Sequence, residues 1–428
     1  MRILASLPIA DAVSRNPMTP VRSPADLRLT GRLFFAIGPG DLVASYDCWI
    51  ANRRMLSETS LTYSGQVLDF CRSSGCRAML ISSCQRPAAR FDQLYIVENR
   101  PKLSLLGGRG VWFYLRELLY AISLAVSARR FRAEVAVIDS GTSSWFMCWI
   151  FRLLGIRVVP CFHNVYANEG AAPSSMLKRL VTVLDSHFFR HGTEVALGVS
   201  SMCARQYRQL GGEAKAFKEF RAQFAAADFQ PREHVLHAKA PFRIVFVGRV
   251  ERNKGVFDLL EIANRLQTSA QREIRLDICG NGAALAEVKH VVAKRDMARY
   301  VFAHGRLERV QLLDVYRQCH LVVVPTRFDF CEGLPQVCAE AVLMGKPVVT
   351  SRISNALEVI GAAASVAEPE DIDSYVARIA ELVADPELYQ RRVNACNVVA
   401  HCFMDPSQGI ASALDRALRP WIGSTPLA

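Results

Sequence analysis

The sequence predicts an α/β chain built as two doubly wound halves that face each other across a cleft. Three observations lead there. Short apolar runs alternate with amphipathic helical stretches through most of the chain. A length of 428 residues exceeds one ordinary core. A stretch of mixed charge with Pro231 and Pro241 separates two runs of alternation and places a linker near residues 230–241.

The second half alternates most regularly. Strands are expected at 242–250, 274–280, 300–305, 321–326, 347–351 and 364–369. Helices are expected at 255–266, 283–295, 309–319, 335–345, 356–361 and 371–383. In the first half, strands are expected from Leu33 and at 77–83, 134–142, 156–164 and 194–201, with helices at 62–75, 145–154 and 176–192. The expected organisation is a flexible lead-in over 1–30, an acceptor-side domain over 31–235, a nucleotide-sugar-binding domain over 236–404, and a last helix within 405–428 that could cross back to the first domain.

Composition is that of a folded protein, 51% hydrophobic and 21% charged. The net charge of +12 favours anionic partners: nucleotide phosphates, acidic lipid headgroups or nucleic acid. No basic helix interleaved with stacking aromatics points to nucleic acid. The 13 cysteines, an odd number without a CxxC pair, read as small buried hydrophobes in a reducing, cytoplasmic setting. Pro8 and Asp11 interrupt the first apolar run, so no signal peptide is expected. Two apolar stretches, 111–126 and 143–159, carry arginines and are too short or too interrupted to span a membrane. Each could lie on an anionic inner membrane face or pack against a sheet; the spacing is the same for both.

Chemistry concentrates at expected strand ends, where open parallel sheets bind ligands. Glu332 follows the strand LVVVPT and precedes a Gly333-Leu334-Pro335 turn; Glu340 falls roughly a turn and a half into the next helix. Two such carboxylates could accept from vicinal hydroxyls of a ribose and a sugar ring, or simply offset a helix dipole. In VGRVERNKG, Gly248 and Arg249 close a strand while Lys254 and Gly255 open a helix, a grouping suited to a diphosphate. Solvated surface cations are the alternative there. His163, followed by Asn164, ends a strand on the side that would face the cleft. Gly38-Pro39-Gly40-Asp41 forms a tight loop after the first strand, either a phosphate or acceptor loop or a plain turn. Leu285 and Val43 stand where a dinucleotide fingerprint requires small residues, so no nicotinamide or flavin cofactor is expected. Nor is a metal constellation visible in the spacing of the histidines.

Together, FVGRVERNKG, ICGNG, VFAHG, VVVPT and EGLPQVCAEAVLMGKPVV resemble the carboxyl domain of glycosyltransferase family 4. The resemblance runs from about Phe242 to Val383 and is diffuse before that. It implies the GT-B fold, two Rossmann-like domains across a cleft, and a retaining transfer from a nucleotide-diphosphate sugar without a cofactor or metal. By position it implies that Arg249 and Lys254 bind the diphosphate and Glu340 the ribose. Glu332 would meet the donor sugar near the reacting centre, and His163 would touch that sugar from the first domain. Gly248, Gly333, Leu334 and Pro335 would line the donor pocket, and Gly38 and Gly40 would border the phosphates or the acceptor. A glycan or lipid-linked acceptor is the family's usual partner. A nucleotide-binding scaffold without activity, and an epimerase or phosphorylase on the same frame, are the alternatives.

Overall fold

The structure is a computed structural model and describes residues 31–103, 110–167, 175–230, 240–269, 272–330 and 332–422. The expected lead-in, and residues 231–239 of the expected linker, lie outside them. In the first domain the strands are β1 (Gly31–Ile37), β2 (Cys76–Ser82), β3 (Ala88–Phe91), β4 (Tyr95–Asn99), β5 (Val135–Asp139), β6 (Arg157–Phe162), β7 (Val195–Gly198) and β8 (Ala216–Glu219). They form one sheet in the order β3-β4-β2-β1-β5-β6-β7-β8, parallel except where β3 pairs with β4. Its helices are α1 (Leu42–Ile50), α2 (Tyr63–Ser73), α3 (Gly110–Phe131), α4 (Trp149–Leu153), α5 (Met176–Gly192) and α6 (Ser201–Gly211).

The second sheet holds β9 (Phe242–Val247), β10 (Ile274–Cys279), β11 (Val301–Gly305), β12 (Leu321–Val324), β13 (Val348–Ser351) and β14 (Ala364–Ala367), all parallel in the order β11-β10-β9-β12-β13-β14. Helices α7 (Val256–Ser269), α8 (Leu285–Lys294), α9 (Arg309–Gln318), α10 (Gln336–Leu343), α11 (Leu357–Ile360), α12 (Ile372–Ala384) and α13 (Pro386–Ala400) cover it, and α14 (Ile410–Leu418) follows. Strand order reverses beside β1 in one sheet and beside β9 in the other. Such reversals splay the following loops apart and open a crevice at the strands' carboxyl ends.

Alternation of side chains explains the layering. Along β1, Leu33 and Phe35 enter the core under α1 and α2, whereas Phe34 and Ala36 enter the opposite core under α3 to α6. Thr62, Ser200, Asp371 and Asp385 start α2, α6, α12 and α13 by accepting from backbone N–H groups of the first turn. Two departures from expectation have local causes. The expected helix at 145–154 begins as a 3-10 turn over Trp145–Cys148, and the apolar stretch 143–159 divides between that turn, α4 and β6, with Trp145, Phe151 and Val159 all buried. The 88–99 hairpin adds an antiparallel edge.

The chain crosses between domains twice. Phe220 packs in the first domain's core and Phe224 in the second's; Phe403 packs in the second and Ile410 in the first. The crossings run side by side, with Arg221 N donating to Gln408 O (2.8 Å) and Phe224 N to Phe403 O (2.9 Å). After the return, α14 lies against α2 and closes the first core. Of the twelve described cysteines, ten are buried.

Lys346 is 1% exposed, and burial lowers its ammonium pKa to about 8 from 10.5, the thiols of Cys319 and Cys396 opposing the shift. A base depressed in the fold costs stability wherever it must stay protonated. That cost is absent above pH 10.5, grows as pH falls toward 8 and is constant below. Lys346→Met should therefore raise Tm at pH 7, by up to about 3 kcal/mol of recovered stability at about 1.4 kcal/mol per pKa unit. Melts at pH 7 and pH 10 test this, and an equal gain at both contradicts it.

Candidate active site in the interdomain cleft

A cavity of about 360 Å³ lies where the two sets of strand ends meet. The second domain supplies Gly248, Arg249, Lys254, Thr326, Phe330, the segment from Glu332 to Val337, and Glu340; the first supplies His163 and Asn164. Residues far apart in sequence thus share one wall because β9 and β12 are neighbours, and β6 ends opposite them.

Lys254 Nζ pairs with Glu332 Oε1, and Thr326 Oγ1 donates to Glu332 Oε2 at 3.1 Å. Lys254 and Arg249 both lie over the Phe330 ring, 3.8 Å and 5.2 Å from its centroid. Arg249 also meets Glu251 at 3.2 Å and is largely exposed. Gly255 turns the chain into α7 with φ 72°, and a Cβ there would meet the Pro325 carbonyl oxygen at 2.1 Å, so only glycine brings Lys254 this close to β12. The amino end of α10 starts at Pro335, which offers no capping side chain, and it opens on the same cavity. Two cations and a helix amino end therefore converge on one space suited to an anion.

Glu340 is buried at the cavity floor. Tyr316 Oη and Thr59 Oγ1 each donate to its carboxylate at 2.5 Å, Thr59 reaching across from the first domain. Burial pushes the Glu340 carboxyl above its ordinary range, and the two hydroxyl donors oppose the shift. At Gly333 the domains approach too closely for a side chain. A Cβ on it would stand 2.1 Å from the His163 carbonyl oxygen and 2.6 Å from Val199 Cγ2.

Behind His163 lies a hydrogen-bonded cluster. Its Nε2 is 3.2 Å from Asp139 Oδ2 and 3.7 Å from Cys161 Sγ, and Tyr63 Oη donates to Asp139 Oδ1 at 2.9 Å. Burial disfavours the imidazolium, but the Asp139 carboxylate outweighs it and holds the His163 pKa above its ordinary value. Asp139, Cys161 and His163 form the one grouping among the described residues with the donor set for a metal ion; their ligand atoms lie within 4.8 Å of one another. Spacing hid it, since Asp139 is on β5. Burial also raises the Cys161 thiol well above its usual pKa, which opposes the thiolate a soft metal requires.

Gly38 and Gly40 follow β1 but do not line the cavity; a Cβ on either would meet open space. The first amides of α1 are already engaged: Leu42 and Val43 donate to Asn99 Oδ1 and Ala44 to Asp41 Oδ1. Sequence reading missed Thr59, Tyr63, Asp139, Tyr316 and Phe330. Phe330 lay two residues before Glu332 and Tyr63 at the start of an expected helix, but nothing in the spacing pointed to Thr59, Asp139 or Tyr316.

Residues 229–396 match the family model described as Glycosyl transferases group 1. The chain is 28% identical over 248 residues to a glycogen synthase of Mycobacterium tuberculosis, covering 55% of this chain and 58% of that protein. It is 32% identical over 161 residues to an alpha-maltose-1-phosphate synthase of the same organism, covering 34% and 40%. The chain thus spans 58% and 40% of the lengths of these two curated relatives. Among solved structures, sucrose-phosphate synthase from Thermosynechococcus elongatus superposes with a TM-score of 0.69 at 14% identity, over 91% of this chain and 98% of that one. HepE from Anabaena, in complex with UDP and glucose, gives 0.57 at 13% over 87% and 96%. The fold is GT-B.

Two outcomes follow from the geometry. Gly333→Ala should force the domains apart and lower Tm, with overpacking costing about 1–3 kcal/mol; an unchanged melt would mean the contact yields freely. The raised His163 pKa means that its pairing with Asp139 stabilises fully below about pH 6.5 and fades as pH rises through the folded pKa. Asp139→Asn should therefore lose more Tm at pH 6 than at pH 8.5.

Proposed function

We propose that the chain is a retaining glycosyltransferase that moves a sugar from a nucleotide-diphosphate donor to a glycan or lipid-linked acceptor, using no metal ion or cofactor. One observation carries this reading: the convergence of Lys254, Arg249 and the uncapped amino end of α10 on a cavity whose other walls are Glu332, Glu340 and His163. The matched family and the glycogen synthase likeness support the reaction class, and UDP with glucose in the HepE structure supports a nucleotide-sugar donor.

Heterolysis of the glycosyl–phosphate bond leaves negative charge on the departing diphosphate and positive charge on the sugar. Cations that meet the diphosphate lower the barrier because the charge they face grows along the reaction. In this reading Lys254 exchanges its pairing with Glu332 for the phosphate, and Arg249 swings from Glu251 to the same group. Glu332, held by Thr326, then faces the oxocarbenium-like carbon, as carboxylates do in glycoside hydrolysis. Glu340 takes the ribose hydroxyls through lone pairs that Thr59 and Tyr316 leave available. His163 contacts the donor sugar from the first domain, oriented by Asp139.

A screen of nucleotide sugars for transfer or hydrolysis tests the class, and absence of both with every donor would favour the non-catalytic scaffold. Lys254→Ala or Arg249→Ala should lower turnover by at least about 10²-fold, the scale of losing one oxyanion-type donor. A product with inverted anomeric configuration would refute retention, and turnover abolished by a chelator and restored by a divalent cation would refute metal independence.

A further inference from the structure

The outer side of the first domain reverses the pattern expected of a helix facing water. Along α3 the inward face buries Ala121, Ala125 and Ala128 beside Tyr120 and Leu124. The outward face carries Trp112, Leu115, Leu118, Leu119, Ile122 and Val126, and Trp112 is 59% exposed. Spacings of three and four residues align these side chains as one stripe along the helix. A second stripe lies on α5, where Met176, Leu177, Leu180, Val183 and Leu184 are all exposed, Met176 to 86% and Val183 to 65%. Helix α4 packs against both α3 and α5, and its Leu153 is 83% exposed. Exposed large apolar side chains thus recur on three neighbouring helices, more than the isolated ones ordinary in a globular protein.

Its charges have one sign. Arg129, Arg130, Arg152, Lys178, Arg179 and Arg190 stand on these helices. The acidic residues of α3 and α5 are Glu117 and Asp185, and both are turned inward: Glu117 pairs with Lys102 and Arg116, and Asp185 accepts from Phe146 N and Tyr166 Oη. We propose that this face docks on an anionic phospholipid bilayer, the stripes of α3 and α5 entering the headgroup region while the surrounding arginines and lysines meet lipid phosphates. Lying in the interface is the mode the face fits, because no described helix is long and apolar enough to cross a membrane. A second copy of the chain fits poorly, since a two-fold contact through this face would set its basic residues against their own counterparts.

The sequence pattern left open whether the stretch at 111–126 packs or lies on lipid; α3 packs one face on the sheet, and the proposal gives its exposed face to lipid. The second stripe, on α5, adds a contact that the sequence did not single out. Helix α5 follows β6, and crossover helices run antiparallel to their strands, so its most exposed end lies at the cleft end of the domain. A bilayer on this face would lie beside the cleft mouth. If the proposed transferase reading holds, that position suits a lipid-linked acceptor; the docking itself does not depend on that reading.

Co-flotation of the full chain with phosphatidylcholine vesicles, with and without phosphatidylglycerol, tests the proposal without any donor or acceptor. Binding is expected to the anionic vesicles at low salt, with loss at high salt. Arg129→Ala/Arg130→Ala should weaken partitioning about 25-fold, about fivefold for each basic residue removed. Leu118→Asp/Ile122→Asp on α3 and, separately, Leu180→Asp/Val183→Asp on α5 should abolish flotation; variants that keep the wild-type melting profile are the ones scored. Failure of the unaltered chain to float with anionic vesicles at low salt overturns the proposal. So does flotation that neither aspartate pair reduces. A dimer in light scattering that dissolves with either aspartate pair, with no flotation, would assign the face to a second copy instead. Donor turnover that survives while flotation fails would separate the two proposals.

Discussion

The approach of Gly333 to the His163 carbonyl sets the width of the cleft, and the rest of the site depends on that width. A side chain at 333 has no room, so the loop after β12 can lie directly on the end of β6. That contact brings a first-domain histidine to the same cavity as Lys254 and Glu332. Thr59 crosses the same gap to reach Glu340. The two adjacent chain crossings tether the domains close to this contact, with the Phe220 ring 5.8 Å from that of His163. The other joins between the domains are mostly polar pairs, such as Arg309 N to Leu56 O and Ser201 to Glu358, and polar interfaces of this kind permit relative motion. The fold thus combines a rigid wall in each domain with a seam between them that can part for a substrate.

The electrostatics of that wall are exchangeable rather than locked. Lys254 and Glu332 are largely but not fully buried, at 13% and 21% side-chain exposure, and both line the cavity, so a ligand there can compete for the ammonium. Such a pair can be traded for a diphosphate more readily than a fully buried one. Phe330 serves both cations by presenting a ring face that attracts positive charge while competing for no proton. Glu340 is the opposite case. It is buried, its pKa is raised by that burial, and two hydroxyls are spent to keep it satisfied.

Local pattern carried the second domain in the sequence because parallel strands buried on both faces read as continuous apolar runs. Each expected strand from Phe242 to Ala367 has its counterpart, and Lys254, Arg249, Glu332 and Glu340 do share one cavity. Less visible were the short, partly exposed strand β3 and helix α6, whose composition is mostly polar although its few apolar residues share one face. Partners set by topology were invisible for another reason. Thr59 meets Glu340 across 281 positions of sequence and Tyr63 meets Asp139 across 76, and no spacing rule links them. The loop at Gly38 and Gly40 lies outside the cavity, and the helix amides that follow it, at 42 to 44, are engaged by Asn99 and Asp41, partners that its composition could not show.

Net charge is another quantity the sequence supplies only as a sum. A value of +12 suits a phosphate pocket and an acidic surface equally well. In three dimensions the cavity uses few cations, and carboxylates oppose them there: Glu332 at Lys254 and Glu251 at Arg249. On α3 and α5 both acids are turned inward, which leaves the outward basic residues unopposed along those helices. A surface maintained only for solubility would mix signs and hide its leucines. This one does neither: α3 buries Tyr120 and Leu124 on one face and leaves Trp112, Leu119 and Ile122 exposed on the other. In the proposed docking the exposed face meets the bilayer interface while the buried face stays with the sheet.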